Sequence, residues 1–321
     1  MSTTGLRGGI DLGGTKIQAV VVDSEHRPVG QARHPTPTRG GPPAVAAEMV
    51  VTLNEAARAA GIDTASLRGV GVGSPGDVEP GEGTVAEARN LTDWTDPYPL
   101  AAELGRALGA PVKLGNDVDV AVRAEFELGA AKPYRSVLGV FWGTGVGGGL
   151  ILDGRQWDGR GSAGEIGHMV VKDGGRRCTC GRKGCMEAYA GRLAMELHAR
   201  KLVKQGKRTK LFKIAKEQDR DRLTSGIWAR ALEAKDRMAT DLIHDAVAAL
   251  GAGVASAVNL LDVEAVVIGG GLGVRFGEPY VKRIEKAMKP HLFIDDRPPA
   301  VHLAALGDLG GAIGAALLVA G

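Results

Sequence analysis

All three cysteines of this 321-residue chain fall within eight positions, Cys178-Thr-Cys180-Gly-Arg-Lys-Gly-Cys185, and His168 lies ten positions upstream. Three thiolates and one imidazole complete a tetrahedral zinc set and leave no open coordination position. The spacing therefore predicts a structural zinc on His168, Cys178, Cys180 and Cys185, a staple that fixes irregular backbone at one point. The alternative, three thiols without a metal, stays open from spacing alone. A nucleic-acid-reading zinc ribbon would need paired CxxC knuckles, and only one unpaired knuckle is present. Glu165, His168 and Glu187 flank the cluster and are groups suited to holding a polar substrate.

Thiols confined to one cluster suit a reducing compartment, where they serve as ligands better than as a disulfide. The first nine residues lack a charged start followed by an apolar stretch, and no run of about 18 apolar residues suggests a bilayer span. A cytoplasmic chain with no membrane partner is expected. The net charge of +3 is small for this length and argues against a chain dominated by nucleic-acid contacts. Glycine is abundant, at 49 residues, which points to many tight turns and close backbone approaches.

Apolar periodicity and turn residues predict strands at 9–11, 17–23, 29–34, 67–73, 112–114, 136–141, 146–152, 265–268 and 301–306. Helices are expected at 44–60, 100–108, 118–131, 187–205, 280–288 and 310–319, with a further helical face through Ile243, Val247, Leu250, Val254 and Val258. Residues 78–99 read as irregular, and residues 201–222, dense in Lys and Arg, as a solvated helical excursion. Two halves look alike. Each opens with strands joined by a glycine turn that carries a threonine, Asp11-Leu-Gly-Gly-Thr15 in one and Trp142-Gly-Thr144-Gly in the other.

Those turns are candidate phosphate cradles. In Asp11-Leu12-Gly13-Gly14-Thr15-Lys16 the glycines leave backbone N–H groups bare, Thr15 adds a hydroxyl donor and Lys16 a charge. Asp11 stands where a carboxylate could hold the water shell of Mg2+. The spacing matches neither GxxxxGK[ST] nor GxGxxG, and an ordinary glycine hairpin would look the same. Gly143-Thr144-Gly145 offers a second such turn, and Gly269-Gly270-Gly271, after a buried strand, a third that could approach a base or a phosphate or simply turn. Asn116-Asp117 closes a strand, where a carboxylate suits a general base and an Asn-Asp pair equally suits a helix cap.

Taken together, these motifs resemble the ROK family (repressors, open reading frames and sugar kinases), and within it the bacterial glucokinases. The matching residues are Asp11-Leu-Gly-Gly-Thr-Lys16, Gly73-Ser-Pro-Gly76, Asn90-Leu91, Asn116-Asp117, Gly143-Thr-Gly-Val-Gly-Gly148, Glu165-Ile-Gly-His168, the cysteine run through Glu187, and Gly269-Gly-Gly271. They occur in family order over almost the whole chain.

The resemblance implies an α/β, actin-like (ribonuclease H-like) two-lobed sugar kinase fold with a cleft between lobes. Residues 1–116 with 310–321 would form the smaller lobe, and 117–309 the larger one with its zinc-binding insertion. It implies ATP as donor, Mg2+ as helper, structural Zn2+, and transfer to the 6-hydroxyl of glucose with Asp117 as general base. Gly76, Asn90, Asn116, Asp117, Glu165, His168 and Glu187 would contact the sugar. Asp11, Gly13, Gly14, Thr15, Lys16, Gly143, Thr144, Gly145, Gly269, Gly270 and Gly271 would contact the nucleotide. His168 would serve twice, one ring nitrogen on zinc and the other toward the sugar.

A homodimer or higher homo-oligomer is also implied. Mannose, fructose, N-acetylglucosamine or N-acetylmannosamine are alternative acceptors, and polyphosphate an alternative donor. A sugar-sensing repressor of this family would carry a DNA-binding module before Asp11, where ten residues stand here, so a kinase is the expectation. Two features depart from the family pattern. Asp119 replaces the usual second Asn of Asn-Asp-x-Asn, and the basic stretch 201–222 has no counterpart in the signature.

Overall fold

A computed structural model describes residues 5–88 and 91–320. The chain divides into two compact units, Met1–Gly129 with Ala305–Gly321, and Ala130–Ala304.

The first unit runs through β1 (Arg7–Leu12), β2 (Lys16–Val22), β3 (Pro28–Pro35), α1 (Gly41–Ala59), β4 (Val70–Ser74), β5 (Asp77–Glu79), β6 (Thr84–Ala86), α2 (Leu100–Leu108), β7 (Val112–Asn116) and α3 (Asp117–Glu127). Its five-stranded sheet has the order β3-β2-β1-β4-β7. The β1–β2 and β2–β3 pairs are antiparallel, and β1, β4 and β7 run parallel. From Ile17 to Val22 every residue of β2 is buried, the near-continuous apolar run of a strand covered on both faces. Its core gathers Ile10, Leu12, Ile17, Met49, Leu53 and Leu100.

The second unit contains β8 (Val137–Trp142), β9 (Val146–Leu152), β10 (Arg155–Gln156), α4 (Glu187–Ala190), α5 (Arg192–Lys204), α6 (Leu211–Glu217), α7 (Ser225–Glu233), α8 (Arg237–Leu261), β11 (Ala265–Gly269), α9 (Gly270–Phe276), α10 (Glu278–Met288) and β12 (Ala300–Leu303). Its sheet order is β10-β9-β8-β11-β12. An antiparallel hairpin β8–β9 is again followed by parallel partners, β11 and β12. The duplication expected from the paired glycine turns is thus a duplication of sheet topology. Helix α8 is long and apolar enough to span a bilayer by composition, which the sequence-based expectation did not count; 67% of that window is buried in the unit. Its Ile243, Val247, Leu250 and Val254 pack into the core around Trp142 and Trp228.

The last helix, α11 (Gly310–Leu317), belongs to the first unit, where it packs on β1, β4 and α3. Its small residues permit an approach of backbone to backbone. A Cβ on Gly9 of β1 would strike the Ala312 carbonyl, and one on Gly71 of β4 the Ala315 carbonyl. The units divide at Gly129/Ala130 and Ala304/Ala305. The expected divisions were 116/117 and 309/310. Helix α3 accounts for the first difference, since its neighbours are α11, β4 and β7. Residues 305 and 306 stay with the first unit because their backbone N–H groups donate to the buried Glu125 carboxylate at 2.9 and 2.8 Å.

Other boundaries moved for local reasons. The stretch 78–99, expected to be irregular, contains the β5–β6 hairpin, held by a bridge from Val85 to Tyr98 and by the Trp94 indole donating to the Val85 carbonyl. The helix expected at 187–205 breaks at Gly191, whose extended ψ of 130° separates α4 from α5.

Candidate active site

Every turn singled out from the sequence lies at the carboxyl end of a strand, where α/β sheets place their ligand sites. In the first unit, β1 runs into Leu12-Gly13-Gly14-Thr15, β4 into Pro75-Gly76, and β7 into Asn116-Asp117. The glycine turn is closed by the Gly13 N–H donating to the Lys16 carbonyl at 2.9 Å and by the Thr36 hydroxyl donating to the Gly13 carbonyl at 2.6 Å. The Lys16 ammonium lies 3.5 Å from the Asp308 carboxylate.

Of the two roles open to Asn116-Asp117, the structure shows the helix cap. Asn116 is the cap of α3, its Oδ1 accepting from the N–H groups of Val118 and Asp119 at 2.9 and 3.3 Å. Asp117 is the first helical residue, and its carboxylate accepts a 3.0 Å bond from the Val118 N–H. Burial pushes Asp117 up to about 7, and the nearby charges of Asp11 and Asp119 add to the rise against the Val118 bond. The residue keeps part of its surface open, so it is accessible while poorly hydrated. Asp11 pairs with Gly73 on β4, which is itself paired with Gly115 on β7. Two strand spacings, about 10 Å, separate those positions. Burial also raises Asp11, to about 6; Lys16 opposes the rise and Asp308 assists it. Gly76 sits in the link between β4 and β5, and Asn90 lies outside the described residues.

In the second unit the cysteine run forms a small hairpin, with Arg177 bridged to Lys183 and Cys185 to Val170. One donor atom from each of His168, Cys178, Cys180 and Cys185 lies within 4.8 Å of all the others. The Cys180 and Cys185 sulfurs are 3.7 Å apart. That is close to the edge of about 3.8 Å implied by a tetrahedron with Zn–S of about 2.3 Å, and far too long for a disulfide. The set fits zinc. Burial holds Cys178 up at about 12 and raises Cys185. For Cys180, burial is outweighed by the Arg182 backbone N–H and by bonds with Cys178 and Cys185, which bring it to about 7. Metal loading must therefore displace protons.

The flanking polar groups are tied to this frame. His168 turns Nδ1 toward Cys178, 3.9 Å from its sulfur, and Nε2 toward Glu165, 3.8 Å from its carboxylate. Glu187 accepts from the Val146 N–H at 3.0 Å, from the Thr179 hydroxyl at 3.1 Å and from the Cys178 thiol at 3.6 Å. It joins the metal loop to the start of β9, while its carboxylate retains lone pairs for a ligand.

The turn Gly143-Thr144-Gly145 is closed by the Gly143 N–H donating to the Gly145 carbonyl at 3.0 Å. Gly269-Gly270-Gly271 lies beside it, because Gly269 of β11 pairs with Phe141 of β8. The triglycine is the start of α9 rather than a free turn. Gly270 has a φ of +79°, and a Cβ there would strike the Trp142 backbone. The sequence did not single out Asp308, Thr36 or Arg192, each of which bonds to one of these turns. Thr, Asp and Arg in such places carry no spacing signal.

Residues 7–321 match the ROK family profile. The chain belongs to the ROK family. Among ROK proteins it is 33% identical over 319 residues to the glucokinase of Streptomyces coelicolor, covering 97% of this chain and 96% of that protein. It is also 33% identical over 321 residues to the N-acetyl-D-glucosamine kinase of Pectobacterium atrosepticum, covering 97% of each. The structure of a ROK family glucokinase from Streptomyces griseus in complex with glucose and AMPPNP superposes with a TM-score of 0.82 at 31% identity, over 98% of this chain and 99% of that one. The two sheets and these neighbours make the fold that of the actin-like sugar kinases.

Proposed function

We propose that this ROK protein is an ATP-dependent hexokinase acting on the 6-hydroxyl of glucose. One observation carries the chemistry: Asp117 stands at the end of a rigid strand with its cap role taken by Asn116 and its carboxyl raised to about 7. A base with a pKa near the working pH accepts a proton as the hydroxyl loses it. In the step proposed, the sugar 6-oxygen bonds to the γ-phosphorus, the bond to the bridging oxygen of ADP breaks, and the hydroxyl proton passes to Asp117.

The other residues position and neutralise, which is most of what phosphoryl transfer requires. The Asn116 side-chain amide, Glu165, His168 through Nε2, Glu187 and Asn90 would hold the remaining hydroxyls, with Gly76 lining the sugar. The turns at Gly13-Gly14-Thr15 and Gly143-Thr144-Gly145, Lys16, and the Gly269-Gly270-Gly271 junction would hold nucleotide phosphates. Asp11 would hold Mg2+ through its water shell, and that ion, when bound, neutralises charge on the phosphates. Zinc has no free position and would only fix His168 and the loop that leads into α4 and Glu187. The reduced thiols suit a cytoplasmic enzyme.

Glucose is favoured by the likeness to glucokinases. An N-acetylhexosamine is the second reading, favoured by equal identity to an N-acetyl-D-glucosamine kinase. A coupled assay over glucose, mannose, fructose, N-acetylglucosamine and N-acetylmannosamine, with ATP and with polyphosphate, separates them. The expected result is the highest kcat/KM for glucose with ATP. A higher value for an acetylated sugar would replace glucose as the substrate, and phosphorylation of no sugar would remove the kinase assignment.

A further inference from the structure

The basic stretch 201–222 takes no part in the chemistry proposed so far, yet Leu223, the residue that follows it, is joined through one arginine to the turn Gly143-Thr144-Gly145. The connecting residue is Arg192, at the start of α5 and only 8% exposed. Its Nη2 donates to the Thr144 hydroxyl oxygen at 2.7 Å, and its Nη1 to the Leu223 carbonyl at 2.9 Å. Its backbone N–H donates to the Gly143 carbonyl at 3.2 Å, and that of Leu193 to the Thr144 carbonyl at 3.0 Å. One turn along α5, Glu196 is 2% exposed. It accepts from the Leu223 N–H at 2.9 Å, from Arg222 Nε at 3.4 Å and from Arg200 at 2.8 and 3.0 Å. Arg200 in turn donates to the Asp221 carbonyl at 2.8 Å. The excursion leaves α5 and returns to it at Leu223, where Glu196 holds the returning backbone N–H and Arg192 its carbonyl.

Donor and acceptor accounting decides what Thr144 can then do. A guanidinium has donors and no acceptor. The Thr144 oxygen therefore accepts from Arg192, and its own proton is left to donate. A buried cation behind that hydroxyl polarises the O–H bond and adds positive potential at the turn. Such an arrangement suits an anionic ligand oxygen and disfavours a neutral donor.

We propose that Arg192 is a positioning residue for the nucleotide: it sets the Thr144 hydroxyl as a donor to a phosphate oxygen, and the basic excursion, clamped at Leu223 by Glu196, holds Arg192 in place. The assignment rests on the nucleotide role proposed for Gly143-Thr144-Gly145. It gives the excursion a function that its charge alone did not reveal, namely buttressing a turn from behind rather than binding a ligand with its own lysines.

A double-mutant cycle on the full-length, zinc-loaded protein tests this. ATP binding is read by calorimetry, and KM for ATP and for sugar by steady-state kinetics, for Arg192→Met, Thr144→Val and the pair. Loss of a charge-assisted hydrogen bond predicts about ten-fold or more weaker ATP binding in each single variant, with the sugar KM within about two-fold. In the Thr144→Val background, Arg192→Met should add less than about two-fold. Additive losses, or equal rises in both KM values, would overturn the proposal, since a merely structural arginine gives one of those patterns. If Arg192→Met does not fold, as judged by its melt and zinc content, Thr144→Ser decides. Keeping the hydroxyl should keep wild-type ATP affinity where Thr144→Val loses it, and equal affinity in Thr144→Ser and Thr144→Val would overturn the proposal. A wild type that binds ATP and phosphorylates no sugar defeats the hexokinase assignment but leaves this cycle readable from binding alone. A wild type that does not bind ATP defeats both.

Discussion

The two sheets share one plan and carry opposite chemistry at the same place. In each, an antiparallel hairpin with a Gly/Thr turn is followed by two parallel strands. At the carboxyl ends of the first sheet stand two poorly hydrated acids, Asp11 and Asp117, raised to about 6 and about 7. At the corresponding end of the second stands a threonine backed by the buried Arg192, beside a Glu187 bonded to the cysteine loop. In the function proposed above, the group that would gain a proton is kept where its charge is costly, whereas the turn that would hold an anion has a cation behind it. The duplicated scaffold supplies position, and what diverged is the electrostatic environment around each turn.

The largest effect expected is on Asp117. Asp117→Asn should lower kcat by about 10²–10⁴-fold, measured by the coupled assay, with sugar affinity by calorimetry little changed. The same variant should gain thermal stability at high pH. Because the folded pKa, about 7, lies above the ordinary value of 3.8, the native state keeps a proton that the unfolded chain releases. The cost to the wild type is absent below pH 3.8, grows from there to about 7 and is complete above it. Melts should therefore show a Tm gain at pH 8 and none at pH 3.5; a loss at pH 8 would break the contrast between the two sheets.

Disruption of the metal frame should rank next. Cys180→Ser, or exhaustive chelation, should lower Tm and raise the sugar KM about ten-fold or more, with ATP affinity by calorimetry much less affected. Equal losses of sugar and ATP binding would mean that the frame supports the whole second sheet rather than the sugar-facing groups. A smaller effect is expected from Asp119→Asn. Asp119 raises Asp117 through its charge, so the substitution should shift the pH profile of kcat/KM toward acid by less than about one unit.

Much of this plan was legible in the sequence, because the features that specify it are local. Three cysteines and His168 announce a tetrahedral set, and glycines between apolar runs announce the hairpins β1–β2 and β8–β9. What escaped depends on contacts between distant positions. Arg192 carries no signal within the helix expected at 187–205, and its part shows only where its guanidinium meets Leu223 and Thr144. The β5–β6 hairpin has only three residues per strand, too few for a period to register, and Trp94 and Tyr98 stabilise it from downstream. Which of Asn116 and Asp117 caps α3 could not be read from the pair itself, and the side-chain bonds assign the cap to Asn116.

The central claim is that the first sheet presents a carboxyl base with a raised pKa, and the pH dependence of kcat/KM for the wild type tests it most directly. The value should rise about ten-fold per pH unit on the acid side and level off through an inflection near 7 that coincides with the titration of Asp117. A profile flat from pH 5 to 8, or an inflection near 4, would show an ordinary carboxylate there and contradict the account.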